Sequence, residues 1–190
     1  MARPGNRRPL IADHAIAVLA QGGARALTHQ AVDRSAGLSA GSTSYYFRTR
    51  EALVDAAIER IRHYSRAAFE AAPMPDSLTV QSASVFIAEQ LYQLLTVRRE
   101  QALAVVALLP EVADSPERQQ SLMGCLFSRA LATDLTNTLG SAHETHAADD
   151  LVDFLIGRLI TTLFKPNSDE QDWREAAQLS IERLLRSSIE

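Results

Sequence analysis

The stretch between Thr28 and Leu53 most constrains how this 190-residue chain can fold, because it predicts two short helices joined by a turn. Thr28 is a good N-cap residue, and Val32 and Ala36 can lie on one face of the helix that follows it. Gly37 stands where a left-handed residue would end that helix. The stretch therefore predicts a compact pair of helices and not an extended segment.

A second short helix is expected after the turn, with Ser39 as its N-cap and Leu38 packed beneath the turn. Small and hydroxyl residues form its exposed side and aromatic residues close it: Ala40, Gly41, Ser42, Thr43 and Ser44, then Tyr45, Tyr46 and Phe47. A slim helix of this kind can enter the major groove of DNA. The pattern is typical of a helix-turn-helix.

The chain resembles the TetR/AcrR regulators in this stretch, in the order Thr, aliphatic, Ala-Gly, aliphatic-Ser, Gly, aromatic-x-Phe and a basic residue before Glu-x-Leu. The resemblance covers roughly the first third of the chain, and it is specific because many positions match across two turns. It implies a DNA-binding headpiece followed by a body that forms a homodimer and senses a small-molecule effector.

The resemblance assigns DNA-backbone contacts to four residues and base contacts to five. The four are His29, Ser42, Tyr45 and Arg50, and the five are Gln30, Ala40, Gly41, Ser44 and Tyr46. Hydroxyl, imidazole and guanidinium groups suit phosphate oxygens, and the amino end of the helix capped by Thr28 adds a favourable dipole. Thr28 and Thr43 complete the expected DNA-binding set. Phe47 is expected to pack in the headpiece core, since its ring offers no hydrogen bond.

Two residues depart from the family pattern. Ser44 stands where the family often has an aromatic residue, which could alter base preference. Asp33 stands where a small residue usually packs between the helices, so its carboxylate lies near an interface that faces phosphates. Three interpretations of Asp33 stay open: it turns outward, it pairs with Arg34 or another arginine, or it disfavours nonspecific binding.

The net charge of −4 hides an asymmetry between the two ends of the chain. Residues 1–66 hold ten arginines and five acidic residues, a net charge of +5, and the remainder holds nine basic and eighteen acidic residues, a net charge of −9. A basic front suits a nucleic-acid headpiece, because neutralised phosphates supply the sequence-independent part of DNA affinity. Arginine-rich segments also occur as solvated faces, but the coincidence with the helix-turn-helix favours DNA.

Apolar periodicity predicts an all-α fold of about nine helices, with no alternating run typical of a strand. The expected domains are 1–49, which binds DNA, and 50–190, which binds ligand and dimerises, with a long linking helix over 50–72 that Pro73 and Pro75 end. The other expected helices are 10–21, stopped by Gly22-Gly23, then 77–96, 98–109, 115–139, 144–164 and 169–189.

The last two helices are expected to form the dimer contact, as the resemblance implies. The 144–164 helix is apolar over too wide a surface for one packed side, so a partner face is plausible. A helix buried on all sides inside a monomer is the alternative. The expected interface residues are Leu151, Leu155, Leu159, Leu163, Trp173, Ala177, Ile181 and Leu184.

A ligand site in the body is harder to place, because apolar residues that line a pocket look like core residues in a sequence. The candidates are aromatic, sulfur-containing or charged residues of the body: Phe69, Phe86, Tyr92, Met123, Phe127 and Arg129. No cofactor is expected.

Other side-chain groups are weaker signals. His143 and His146 with Asp149 and Asp150 could present metal ligands, but a solvated helix start is the favoured interpretation, and no metal site is expected. Cys125 lies in an apolar run and is expected to be a buried thiol. His14 and His63 lack a Ser or Cys partner, which argues against an enzyme.

The sequence therefore predicts a cytoplasmic, dimeric, one-component transcriptional regulator, most simply a repressor that a small molecule releases from a double-stranded DNA operator. A single cysteine and the absence of a leader or a long apolar run favour that compartment. An architectural DNA-binding protein without a ligand is the alternative. A carrier or enzyme with a vestigial headpiece is a third possibility, and it predicts no operator.

Overall fold

The computed structural model describes residues 7–140, 144–165 and 170–189. Within these ranges every regular element is a helix, which confirms the expected all-α fold of about nine helices. The elements are α1 (Arg7–Ala26), α2 (His29–Ser35), α3 (Ser42–Tyr46), α4 (Arg50–Ala71), α5 (Val80–Leu95), α6 (Arg99–Leu108), a 3-10 turn (Leu109–Val112), α7 (Pro116–Met123), α8 (Arg129–Thr138), α9 (Glu144–Leu163) and α10 (Glu170–Ser187).

Two helix boundaries, the end of α1 and the start of α5, are explained by the residues found there. The helix α1 breaks at Gly23, whose φ of 72° is left-handed, and a further turn extends the element to Ala26 beyond the expected stop. Glycine alone adopts this backbone conformation without strain. Thr79 caps α5 by accepting a hydrogen bond from the Ser82 amide at 3.1 Å, while the Ser82 hydroxyl accepts from the Thr79 amide at 2.9 Å. This capping box explains why α5 begins later than residue 77.

The single helix expected over 115–139 is wrong, because the structure has two helices there. Gly124 ends α7, and its amide donates to the Gln120 carbonyl at 3.0 Å. Ser128 then begins α8 with a new N-cap, accepting from the Leu131 amide at 3.3 Å. A glycine followed within a few residues by a serine cap is a sufficient break, although the apolar periodicity continues across it.

The chain forms two compact units. The first contains residues 1–68 and 100–125, and the second contains residues 69–99 and 126–190. In the first unit, α2 packs on α1 and on α3. In the second unit, α10 and α9 both pack on α5, and α8 packs on α9. Compactness therefore groups α4 with the headpiece as far as residue 68, whereas the sequence places the domain boundary after residue 49.

The apolar stripe expected at the dimer contact lies inside the second unit. Six of its members are buried within the monomer: Leu151, Leu155, Leu159, Leu163, Ala177 and Ile181. Those side chains are not available to a second copy, so the expected interface is corrected. Trp173 and Leu184 are half-buried. The helix α9 is apolar on two sides, and periodicity alone cannot say which side faces the core.

Candidate nucleic-acid interface

The first helix of the helix-turn-helix has the expected ends. Thr28 caps α2, and its hydroxyl accepts a hydrogen bond from the Ala31 amide at 3.1 Å. Gly37 has a left-handed φ of 61°, and the next amide, of Leu38, donates to the Asp33 carbonyl at 2.9 Å. The chain therefore leaves α2 through a tight, hydrogen-bonded turn, as the sequence predicts.

The second helix begins later than expected. Its N-cap is Gly41, at φ 88°, and not Ser39, and Gly41 has no side chain with which to cap the helix. Ser39 contributes instead through its carbonyl, which accepts from the Ser42 amide at 3.1 Å. The helix α3 has only five residues. A helix this short is not stable by itself, so contacts with the rest of the protein must stabilise it.

Asp33 supplies the missing cap. Its side chain is only 3% exposed, and its carboxylate accepts from the Gly41 amide at 2.8 Å, the Thr43 amide at 2.8 Å and the Thr43 hydroxyl at 2.6 Å. None of the three interpretations left open by the sequence describes this arrangement. Burial raises the pKa of Asp33, but the hydrogen bonds from Thr43 and Gly41 outweigh it and lower the pKa below its ordinary value. The carboxylate therefore stays ionised at neutral pH.

His29 contacts the other end of α3. Its Nε2 lies 2.7 Å from the Phe47 carbonyl oxygen, and since a carbonyl only accepts, Nε2 is the donor. Phe47 is the C-cap residue of α3 and is buried, which fits the packing role expected for its ring. The imidazole expected at a phosphate is thus directed, through this nitrogen, at the protein backbone.

The side chains left on the outer surface form the candidate interface. Thr28, Gln30, Ala40, Gly41, Ser44 and Tyr45 are exposed, and Ser42 and Tyr46 are half-buried. Tyr45 is 79% exposed and meets the Tyr46 ring edge to face at 5.1 Å. Thr43 is fully buried with its hydroxyl donated to Asp33, so its expected role as a DNA contact is corrected to a supporting role.

Arg50 begins α4 close to this surface but already has partners. Its guanidinium forms an ion pair with Glu111 through Nη1 and donates from Nη2 to the Ala24 carbonyl at 2.9 Å. These contacts join the end of α1, the start of α4 and the 3-10 turn within the first unit. A phosphate bound to Arg50 would compete with the Glu111 carboxylate for the positive charge of the guanidinium.

Arg8 is a basic residue near the interface that sequence reasoning did not single out. Its guanidinium lies 5.0 Å from the centre of the Phe47 ring, in a cation–π contact at the end of α3. The sequence signal was the pair Arg7-Arg8, but nothing in the pattern indicated that α1 begins at Arg7 and brings this residue to the headpiece surface.

A polar network fixes α1 on α4 behind the interface. Arg60 binds the Asp13 carboxylate with two hydrogen bonds, from Nε at 2.6 Å and from Nη2 at 2.9 Å, and the Tyr64 hydroxyl donates to the same carboxylate at 2.8 Å. The hydrogen bond to Asp13 raises the pKa of Arg60, while burial and the same carboxylate raise the pKa of Tyr64. Both groups keep their protons, so the network persists over the physiological pH range.

The candidate ligand residues are not all in one unit. Phe69 and Phe86 meet edge to face at 6.1 Å in the second unit. Tyr92 lies in the same unit, with its ring 6.2 Å from the Trp173 ring and 3.5 Å from the Arg174 guanidinium carbon. The half-buried Phe127 also belongs to the second unit, whereas Met123 belongs to the first.

Arg129 is corrected as a pocket residue. It is exposed and forms ion pairs with Asp149 and Asp153 on the surface of the second unit. Among the described residues no group of three His, Cys, Asp or Glu side chains could hold a metal ion, while His143 lies outside them. Cys125 is buried, as expected, with its thiol 3.3 Å from the Ser121 carbonyl.

A helix-turn-helix headpiece followed by a helical body defines the class of this protein. Residues 11–57 match the family model described as bacterial regulatory proteins, tetR family. The helix-turn-helix segment of this chain is therefore similar to the tetR family. No curated protein sequence matches it significantly. Within the part of the chain that the structure describes, no helix combines the length and apolar character needed to cross a membrane.

Solved structures share the fold over nearly the whole chain. The multidrug binding protein EbrR, complexed with malachite green, is 24% identical with a TM-score of 0.70, covering 94% of this chain and 97% of its own. A TetR-family member from Streptomyces coelicolor A3 is 22% identical, with a TM-score of 0.70 and coverages of 95% and 98%. A regulatory protein in the tetR family from Rhodococcus RHA1 is 21% identical, with a TM-score of 0.69 and 98% of both chains covered.

Proposed function

We propose that the protein is a dimeric, one-component transcriptional repressor that a small molecule releases from an inverted-repeat operator. One observation carries the proposal: a short helix with an outer surface of small, hydroxyl and tyrosine side chains is fixed on a basic headpiece. Such a helix fits the major groove, and the net charge of +5 over residues 1–66 favours a polyanion.

The exposed side chains divide into two kinds of contact. Ser42, Tyr45, Arg50 and the amino end of α2 at Thr28 serve phosphates, because they offer hydroxyl, guanidinium or amide donors. Gln30, Ala40, Gly41, Ser44 and Tyr46 serve base edges. Gln30 can pair with adenine, and the Ala40 methyl can contact the thymine methyl.

A second copy of the chain is proposed to cover the outer face of α9 and α10. Phe164, directly after the end of α9, is 65% exposed, and Leu179 on α10 is 52% exposed. The helices α9 and α10 pack together. Phe154, Gly157 and Ile160 continue the α9 face at helical spacing toward the amino end. Gly157 has open space where a Cβ would stand. This face replaces the buried stripe expected from the sequence, and a two-fold axis through it matches an inverted repeat.

The effector is proposed to be an aromatic organic molecule bound in the second unit. Phe69, Phe86 and Tyr92 supply ring surfaces there, and Phe127 adds a further ring. EbrR, which shares the fold, has been solved with malachite green and with ethidium. A ligand that binds the operator-free form more tightly than the operator-bound form releases the DNA.

Selection from a randomised duplex pool with the full-length protein tests the DNA part of the proposal. An operator-reading dimer enriches one sequence that reads as an inverted repeat. Equal recovery of all duplexes, lost as salt rises, would instead indicate a ligand-independent architectural DNA-binding protein. One observation favours that alternative: α3 carries no Arg, Lys, Asn or Gln for bidentate base reading.

Fluorescence tests the ligand part, because Trp173 is the single tryptophan of the chain and lies in the second unit. Malachite green and ethidium are the probes. Saturable quenching of Trp173, with release of the selected duplex at the same probe concentration, supports an aromatic effector. Quenching without release, or release without saturable binding, counts against it.

A further inference from the structure

We propose that His29 and Asp33 form a clamp on α2 that holds both ends of α3 and thereby sets how well the protein discriminates between DNA sequences. The inference rests on the proposed function, because it concerns the reading of an operator. It assigns positioning roles to both residues. By resemblance to the family, His29 was expected to contact a phosphate, and Asp33 departs from the family pattern.

The spacing of the two residues places them on one side of α2. Residues four apart are neighbours on a helix surface. His29 therefore lies one turn before Asp33, and α3 packs against this side of α2. A helix of five residues rises only about 7 Å, so one turn of α2 is nearly long enough to contact both of its ends.

Each partner matches the polarity of the end that it contacts. The first amides of a helix lack acceptors and its last carbonyls lack donors. The Asp33 carboxylate accepts from Gly41 and Thr43 at the amino end, and the His29 imidazole donates to Phe47 at the carboxyl end. An anion at the amino end also interacts favourably with the helix dipole.

The clamp matters because α3 has few other supports. Thr43 is the only residue of α3 that is buried, and its hydroxyl is part of the clamp. Gly41 gives the chain a left-handed entry into α3 without a side-chain cap of its own. Of the remaining α3 residues, Ser44 and Tyr45 are exposed and Ser42 and Tyr46 are half-buried, so the position of the helix depends on the bonds from α2.

Loss of the clamp should affect base contacts more than phosphate contacts. Base reading needs side chains held to a fraction of an ångström, whereas the phosphate term depends mainly on net charge. Replacing Asp33 with Asn also removes a negative charge, which favours any DNA. The clamp therefore predicts lower discrimination without lower affinity for random DNA.

The experiment compares matched substitutions in the full-length protein. Asp33→Asn is paired with Glu59→Gln, which removes an exposed carboxylate of the same unit, and His29→Phe is paired with His63→Phe on the exposed side of α4. Affinities are measured by fluorescence anisotropy for the duplex selected by the wild type and for a scrambled duplex. Thermal unfolding is recorded for each variant.

The expected result is a fall of about tenfold in the ratio of the two affinities for Asp33→Asn and for His29→Phe, with scrambled-duplex affinity kept. Glu59→Gln and His63→Phe should keep the wild-type ratio. His29→Gln, whose amide can still donate to Phe47, should recover part of it. An unchanged ratio in Asp33→Asn overturns the clamp, as does equal loss of both affinities in step with a lower Tm.

Failure of the proposed function would look different, because the wild type itself would then prefer no duplex. Amide hydrogen exchange tests the clamp without DNA. Asp33→Asn should speed exchange at Gly41 and Thr43 by roughly tenfold relative to Glu59→Gln. Equal exchange rates at these amides in the two variants would contradict the proposal that Asp33 holds α3 in place.

Discussion

The helices α3 and α9 are fixed by different interactions. The helix α3 has five residues and one buried residue, and directional hydrogen bonds from His29 and Asp33 meet its ends. The helix α9 has twenty residues, and four of its leucines are buried against neighbouring helices. Hydrogen bonds define position and angle, whereas apolar burial is non-directional.

Under the proposed function, this difference allows one small protein to combine precise DNA reading with adaptable ligand binding. A helix that reads base edges needs fixed coordinates, and a body that accommodates an effector benefits from contacts that allow small shifts. Five substitutions test this contrast, ordered from the largest expected effect to the smallest.

Leu159→Ala should produce the largest change, because this leucine is fully buried in α9. Removing its side-chain carbons leaves a cavity, and we expect a loss of about 3 kcal/mol in the free energy of unfolding of the second unit. Urea unfolding followed through Trp173 measures it. A loss below about 0.5 kcal/mol would contradict the assignment of this stripe to the monomer core.

Asp33→Asn should destabilise the first unit by about 2 kcal/mol at neutral pH. The substitution replaces a buried carboxylate that accepts three hydrogen bonds with an amide that accepts them less well. The folded-state pKa lies below the ordinary value of 3.8. The carboxylate therefore stabilises the fold fully above 3.8, and that stabilisation is lost as the pH falls through the lowered value.

The difference in unfolding free energy between wild type and Asp33→Asn should accordingly shrink on going from about pH 7 to about pH 3. Amide exchange of the first unit at several pH values reports it, and Glu59→Gln is the control. A difference that grows toward acid would have the wrong sign for this account.

Gly157→Leu tests the outer face of α9. Among the residues that the structure describes, none has an atom within 4 Å of a Cβ at Gly157, so the fold should tolerate leucine and gain helix propensity. In a dimer that uses this face, the side chain should weaken association by at least about tenfold. Light scattering across a dilution series measures it, with Gly157→Ala as the milder comparison. A dimer unaffected by leucine would place the interface elsewhere.

Arg50→Ala and Gln30→Ala separate the two kinds of DNA contact. We expect Arg50→Ala to weaken binding to all duplexes alike by about threefold and to flatten the salt dependence, since Glu111 already shares its guanidinium. Gln30→Ala should change which base is preferred at one position. Equal effects of both variants on selected and scrambled duplexes would contradict these roles.

The headpiece could largely be predicted from sequence because its signals are local. The Thr28 cap, the left-handed Gly37 and the burial of Phe47 all follow from residue chemistry within one or two turns. The bonds of Asp33 could not be predicted in the same way. They join residues eight and ten positions apart, and they depend on how the turn returns α3 toward α2.

The body was less predictable for a different reason. Its residues show helical periodicity, but a helix with apolar residues on two sides does not reveal which side is the core. Leu155 and Phe154 are adjacent in the sequence, yet the first is buried and the second is half-buried. The break at Gly124 was missed because the apolar pattern continues through it.

The most direct test of the central claim is fluorescence anisotropy of the wild type with the selected duplex and a scrambled duplex at two salt concentrations. A positioned helix that reads bases predicts a preference for the selected duplex that survives the higher salt. Equal affinity for both duplexes, lost together as salt rises, would show that the headpiece binds phosphates only and would contradict the account.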